Sequence, residues 1–259
     1  MKQLVACDLD GTLLNHQGEL TQRTVQAIKT YLDRGGNFVI ATGRPYFFAK
    51  RIADQIDSRL HLIAFNGALV KLANSDCQLY PIEIDFEALG NRLLGIKGEA
   101  YFKSLDHIYS WQAKSDFFKY PQAMIDTSII ETFRFDEPIL KILFYSDDES
   151  EVTRIKNQIN QVGVFTKTDY GQVGFELVAV NRNKGIALEE IMKRLQIDRR
   201  EVVAIGDSHN DMDLLRVATV KVAVANAKPD LLVVANKTIA HHSADGVAIY
   251  LEELMKERG

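Results

Sequence analysis

The sequence predicts an α/β protein: a parallel sheet covered by helices, interrupted by an inserted α+β domain. Three observations predict it. Short apolar runs alternate with amphipathic segments over roughly the first 80 residues, the same grammar returns from about Lys184 onward, and between about Pro81 and Val180 the texture changes to alternating polar and apolar positions.

Taken in order, Leu4 to Cys7 reads as a buried strand. Thr21 caps a helix whose Val25, Ile28 and Leu32 share a face, and Gly35-Gly36 ends it by supplying a left-handed residue. Phe38 to Ala41 is a second strand. Pro45 stands at a first helical position, where its missing N–H costs nothing, and His61 to Phe65 is a third strand. Late in the chain come a helix from about Lys184 to Leu195, a strand Val202 to Ile205, a helix from about Asn210, a strand Val222 to Val224, and a last helix around Gly246 to Lys256. The expected division is a core of residues 1–80 and 184–259 and an insertion of residues 81–183. In the insertion, Tyr80 to Ile84, Lys141 to Tyr145 and Phe175 to Val180 read as strands, Phe86 to Leu94 and Glu151 to Ile159 as amphipathic segments. Trp111 and the patch Phe117, Phe118 and Tyr120 read as core residues.

Composition narrows the class. The 259 residues are 46% hydrophobic and 25% charged, enough to bury a core without metal or disulfide staples. A formal charge of -4 advertises neither nucleic acid nor an acidic membrane surface as a partner. No apolar run reaches the ~18 residues a bilayer span needs, and Asp8 and Asp10 break the only signal-like stretch, so a cytoplasmic protein is expected. Cys7 and Cys77 are too few for a disulfide framework and have no zinc-spaced neighbours.

Chemistry concentrates at strand ends. Asp8-Leu9-Asp10-Gly11-Thr12 follows the first strand, where α/β sheets bind ligands; two such close carboxylates repel unless a cation joins them, and Gly11 frees the chain to turn. Taken singly, an ordinary Asp-Gly turn explains this motif equally well. Thr42-Gly43-Arg44 ends the second strand and offers a hydroxyl, an uncovered N–H and a guanidinium to an anion. Asn183-Lys184-Gly185 sets an ammonium at a helix start, and Gly206-Asp207-Ser208-His209-Asn210-Asp211 places a second acidic loop after Val202 to Ile205. A helix cap accounts for Asn210 but not for four such loops. His209 carries a weak catalytic claim, His241-His242 reads as a solvated pair, and alternation turns Cys7 away from the site or into the core.

In this order, the four clusters resemble the motifs of the haloacid dehalogenase-like hydrolase superfamily, and the insertion is similar to the large α/β (type IIB) cap of its Cof-type phosphatases. The likeness extends to Phe65-Asn66-Gly67-Ala68, Glu176 eight residues before Lys184, Val224-Ala225-Asn226-Ala227 and Asp245-Gly246-Val247-Ala248. Ala179 stands where the family commonly has proline, and Asn181 where it commonly has glycine; Asn tolerates the left-handed turn. The resemblance implies a Rossmann-like core and a phosphatase acting on small phosphorylated metabolites through an aspartyl-phosphate. Asp8 is then the nucleophile and Asp10 the acid and base. It further implies Mg²⁺ held by Asp8, the Asp10 carbonyl and Asp207, with Asp211 orienting the ligands. Leu9, Thr42, Gly43, Lys184 and Asn210 bind the phosphoryl group, and Arg44 contacts the substrate. A phosphosugar mutase using the same intermediate and a catalytically idle metabolite-binding protein stay open as alternatives, as does the oligomeric state.

Overall fold

The computed structural model describes residues 3–112, 126–129, 132–163, 165–169 and 173–257. Residues Phe117, Phe118 and Tyr120 lie outside them. In chain order the elements begin with β1 (Leu4–Cys7), α1 (Gln22–Asp33), β2 (Asn37–Ala41), α2 (Tyr46–Asp54), β3 (His61–Ala64), β4 (Leu69–Lys71) and β5 (Gln78–Leu79). There follow α3 (Phe86–Leu93), β6 (Glu99–Lys103), β7 (His107–Trp111), β8 (Asp126–Ile129), β9 (Lys141–Tyr145), α4 (Glu149–Ile159), β10 (Phe165–Asp169) and β11 (Gly174–Ala179). The chain ends with α5 (Lys184–Leu195), β12 (Val202–Gly206), α6 (Met212–Val217), β13 (Val220–Val224), α7 (Pro229–Val234), β14 (Lys237–Ile239) and α8 (Gly246–Glu257).

Two compact units result: Met1–Gln78 with Asn183–Gly259, and Leu79–Arg182. The first carries a sheet of order β14-β13-β12-β1-β2-β3-β4-β5, parallel from β14 through β3 and turned antiparallel at β4. Its middle strand β1 is wholly apolar, Leu4-Val5-Ala6-Cys7, and every one of these residues is buried, as a strand covered on both faces must be. Leu4 pairs with Asn37 on one side and Val202 on the other. This pairing joins the two ends of the chain in one sheet and brings the ends of β1, β2 and β12 to one edge. Around it, Thr21 accepts a hydrogen bond from the Thr24 N–H to start α1, and Gly35 ends that helix with φ +79°. Asn183 starts α5 in the same way, its Oδ1 accepting from the Ile186 N–H at 2.8 Å.

The second unit is a six-stranded sheet of order β10-β11-β9-β6-β7-β8, antiparallel except where β7 meets β8. Residues of α3 and α4, among them Leu89, Leu93, Val152 and Ile155, pack with Phe102, Phe144, Phe175 and Trp111 into one core. The alternation that places those rings on one sheet face puts Lys103, Lys141 and Glu176 on the other. All three are buried; Lys141 pairs with Glu176, and burial followed by the Lys141 charge pushes the Lys103 ammonium well below the ordinary lysine range. Asn181 takes φ +56°, the conformation expected of a residue standing in for glycine.

Some boundaries differ from the expected ones. Pro45 caps α2 from outside with ψ 153° instead of opening it, because a proline locked at φ near −65° suits either position. Phe65 ends the third strand early by adopting φ +51°. Tyr80 to Ile84 forms no strand: Pro81 lacks a donor, and Ile82 makes a single backbone bond, to the Ile139 carbonyl at 2.7 Å. The helix expected from Asn210 begins as a 3₁₀ turn, His209–Asp211, before α6.

Candidate active site

Asp8 leaves β1 still tied to the sheet, its N–H donating to the Ile205 carbonyl at 3.0 Å. The next residues, Leu9–Leu13, form a single wide turn that closes when the Leu14 N–H donates to the Leu9 carbonyl at 2.9 Å. Gly11 makes that turn possible: its φ is +76°, and a Cβ there would lie 2.7 Å from Asp207 Oδ2.

Lys184, the first residue of α5, is completely buried and sits between two carboxylates. Its Nζ lies 2.6 Å from Asp8 Oδ1 and 2.7 Å from Asp211 Oδ1. Asp211 uses its other oxygen to accept from the N–H groups of Asp207 and Ser208, both at 3.1 Å. Asp207 is held by Thr12, whose Oγ1 donates to its Oδ1 at 3.3 Å, and its carbonyl accepts from the Lys228 N–H at 2.7 Å. Carboxylate oxygens of Asp8, Asp207 and Asp211 all lie within 4.8 Å of one another.

Three carboxylates around one ammonium are electrostatically unbalanced. Burial, then the Asp211 charge, pushes the Asp8 carboxyl well above the usual carboxylate range against the pull of Lys184. The same two causes lift Asp207 to about 6. For Lys184, burial alone would favour the neutral amine, but Asp211 and Asp8 outweigh it and the ammonium is held above its ordinary value. A hard divalent cation fits this donor set: the ligands are all oxygens, they converge, and their negative charge exceeds that of the single ammonium among them.

The other strand ends add hydrogen-bonding groups. The Thr42 hydroxyl is buried and accepts from the Arg44 N–H at 3.0 Å, which leaves its proton aimed elsewhere. Gly43 sits against Asn66, whose Oδ1 accepts from Asn210 Nδ2 at 3.2 Å. Arg44 makes a two-pronged ion pair with Asp10, Nε to Oδ2 at 2.8 Å and Nη2 to Oδ1 at 2.5 Å. Asp10 is the exposed member of the group, its side chain 54% accessible. The roles of Thr12 and Asn66, both within motifs the sequence singles out, and the Arg44–Asp10 pair were not foreseen from sequence.

The remaining candidates fall outside the cluster. His209 pairs through Nδ1 with Asp230 at 2.6 Å and is largely exposed. Burial pushes the Cys7 thiol up, so it stays protonated, and its Sγ donates to the Asp8 carbonyl at 3.2 Å. The reading of His241-His242 as a solvated pair holds for His241, which is exposed and accepts from the Ser243 N–H on Nδ1, and is corrected for His242, whose Nδ1 lies 2.7 Å from the Leu14 carbonyl. Among the described residues no helix is long and apolar enough to cross a membrane.

At one edge of a parallel sheet an acidic cluster, a buried lysine and a threonine–glycine turn stand together, groups suited to a cation and an anion at once. The sequence profile of haloacid dehalogenase-like hydrolases matches residues 5–251, and the chain belongs to that family. Among its relatives, phosphatase YwpJ of Bacillus subtilis is 27% identical over 286 residues, covering 98% of this chain and 100% of the relative. The 5-amino-6-(5-phospho-D-ribitylamino)uracil phosphatase YitU of the same organism is 26% identical, with 96% of each chain covered. A haloacid dehalogenase-like hydrolase from Bacteroides thetaiotaomicron superposes with a TM-score of 0.83 over 98% of this chain and 100% of its own. At 21% identity that likeness speaks to the fold.

Proposed function

We propose that the chain is a Mg²⁺-dependent cytoplasmic phosphatase of small phosphorylated metabolites that works through an aspartyl-phosphate on Asp8. The observation that carries this reading is the buried Lys184 ammonium bridging Asp8 and Asp211 beside Asp207, a positive charge suited to a phosphoryl group approaching a carboxylate.

An Asp8 carboxylate oxygen attacks phosphorus, and the bond to the leaving oxygen breaks. The Asp10 carboxyl gives its proton to that oxygen. In the second half Asp10, now a carboxylate, takes a proton from water as the water oxygen attacks phosphorus, and Asp8 and inorganic phosphate are released. For this, Asp10 has to exchange its Arg44 pairing for the leaving oxygen, and Arg44 turns to the substrate. Lys184, the Thr42 hydroxyl, the N–H groups of Leu9 and Gly43, and the Asn210 amide hold the phosphoryl oxygens, where negative charge spreads in the transition state. Asp8, the Asp10 carbonyl and Asp207 would hold the cation, whose charge would offset their mutual repulsion and that of the phosphate. Asp211 keeps to a positioning role because Lys184 and two N–H groups already occupy its oxygens.

The insertion selects the leaving group, since every group named in the reaction lies outside it. The relative YitU, whose name specifies a phosphorylated ribitylaminouracil, supports a small hydroxylated phosphomonoester as the substrate class.

Chelation with EDTA should abolish turnover of p-nitrophenyl phosphate, and added Mg²⁺ should restore it. Rapid acid quenching should trap phosphate on the wild-type protein and none on Asp8→Asn. Turnover that survives chelation, or an Asp8→Asn protein of near-native rate, would overturn the mechanism.

A further inference from the structure

The wide turn that carries Asp10 is gripped from outside by two residues remote in sequence. Asn226, in the loop after β13, donates through Nδ2 to the Gly11 carbonyl at 2.7 Å, and its Oδ1 accepts from the His242 N–H at 3.1 Å. His242, in the loop before α8, reaches the Leu14 carbonyl at 2.7 Å; a carbonyl only accepts, so the ring donates through Nδ1. The 3₁₀ turn holding His242 is followed by Asp245 in a left-handed conformation, φ +56°, and Asp245 Oδ1 accepts from Thr21 Oγ1 at 2.7 Å. The two grips fall at the middle and the exit of the turn, both after Asp10. Asp8 is held differently, by the Ile205 carbonyl and Lys184.

From this geometry we infer that Asn226 and His242 are positioning residues for Asp10: they clamp the Gly11 and Leu14 carbonyls so that the Asp10 carboxyl is presented to the leaving oxygen. The inference rests on the reading of Asp10 as the proton donor. Loosening the clamp leaves Asp8, Lys184, Thr42, Gly43 and Asn210, all outside the turn, in place and lets Asp10 stray. A displacement of about 1 Å at a reacting group costs on the order of 100-fold in rate. The loss therefore falls on steps that need the proton, and on kcat more than on KM.

The test compares phenyl phosphate with p-nitrophenyl phosphate, whose leaving group departs with far less help from an acid. His242→Ala and Asn226→Asp should lower kcat for phenyl phosphate by about 10- to 100-fold. For p-nitrophenyl phosphate the loss should be several-fold smaller, with KM for both little changed. His242→Asn, whose amide nitrogen replaces Nδ1, should recover most of the rate, whereas His242→Gln, which places its amide at the other ring nitrogen, should not. Asp10→Asn is run alongside, and melting curves establish that each variant is folded. Equal losses on both esters, or rescue by Gln as good as by Asn, overturn the clamp while an ester-dependent loss in Asp10→Asn leaves the proton-donor reading standing. An Asp10→Asn protein with equal losses on both esters removes that reading and the clamp's purpose together.

Discussion

Acid should weaken this protein through His61. That residue opens β3, is 6% exposed, and accepts the Ala73 N–H on Nδ1 at 3.0 Å, so the native ring is neutral at that nitrogen. Burial lowers its pKa to about 4 from an ordinary 6.5. A depressed histidine favours the unfolded chain whenever that chain can take the proton. The stability tied to the neutral ring is therefore complete above about pH 6.5 and drains away as pH falls toward 4. At about 1.36 kcal/mol per pKa unit the ceiling is roughly 3.4 kcal/mol, and the portion lost between pH 7 and pH 5 is about 2 kcal/mol. Asp207, raised to about 6, works in the opposite sense and gains protection as pH falls, so a bare pH profile mixes the two. His61→Asn separates them, because its amide oxygen takes the place of Nδ1 and does not titrate. Urea unfolding followed by far-UV circular dichroism at pH 7 and pH 5 should show the wild type losing about 2 kcal/mol more than the variant over that interval. Equal losses in the two proteins would refute the assignment.

Lys184→Met should leave Asp8 and Asp211 buried without their counter-charge, costing about 3–5 kcal/mol in chemical unfolding at pH 7 and removing activity toward every phosphomonoester tried. Thr42→Val should lower kcat across a substrate panel by a uniform factor, on the order of 100-fold, and a variant that spared one ester would not fit a group bound to the phosphoryl oxygens. Gly67→Ala should be damaging although it adds one methyl group: φ is +100°, and the new Cβ would stand 2.3 Å from the carbonyl oxygen of Asn183, the residue that caps the helix of Lys184. A lower melting temperature together with a lower kcat is expected, and a variant that kept both would remove the Asn183 contact from the design of the site.

The acidic loops were legible because each follows an apolar strand. A run such as Val202 to Ile205 announces its own end, and whatever polar residues come next stand at the sheet edge. The parallel core followed from the same runs. Local pattern could not reveal partners supplied from far away. Nothing near residue 242 indicates that its ring closes on Leu14, 228 positions earlier. Arg44 looked like an anion ligand, and its fork is taken by Asp10, 34 positions away. In the insertion the sheet face bearing Lys103, Lys141 and Glu176 breaks the usual polar-out alternation, since all three are buried there. The run Tyr80 to Ile84 has a strand's alternation but lacks a donor at Pro81, and the alternation alone misleads.

Asp8 and Lys184 are 176 residues apart in the chain, and β1 lies between β2 and β12. Synthesis from the amino terminus therefore releases β1, β2 and β3 long before the strand that completes their sheet. Until β12 emerges, an entirely apolar β1 has one open edge, the kind of surface that recruits other chains. Asp8 meanwhile has no ammonium beside it. Under the proposed mechanism, nascent chains of this design are without catalytic power until about the last third of their length has docked, and throughout that interval β1 keeps its open edge.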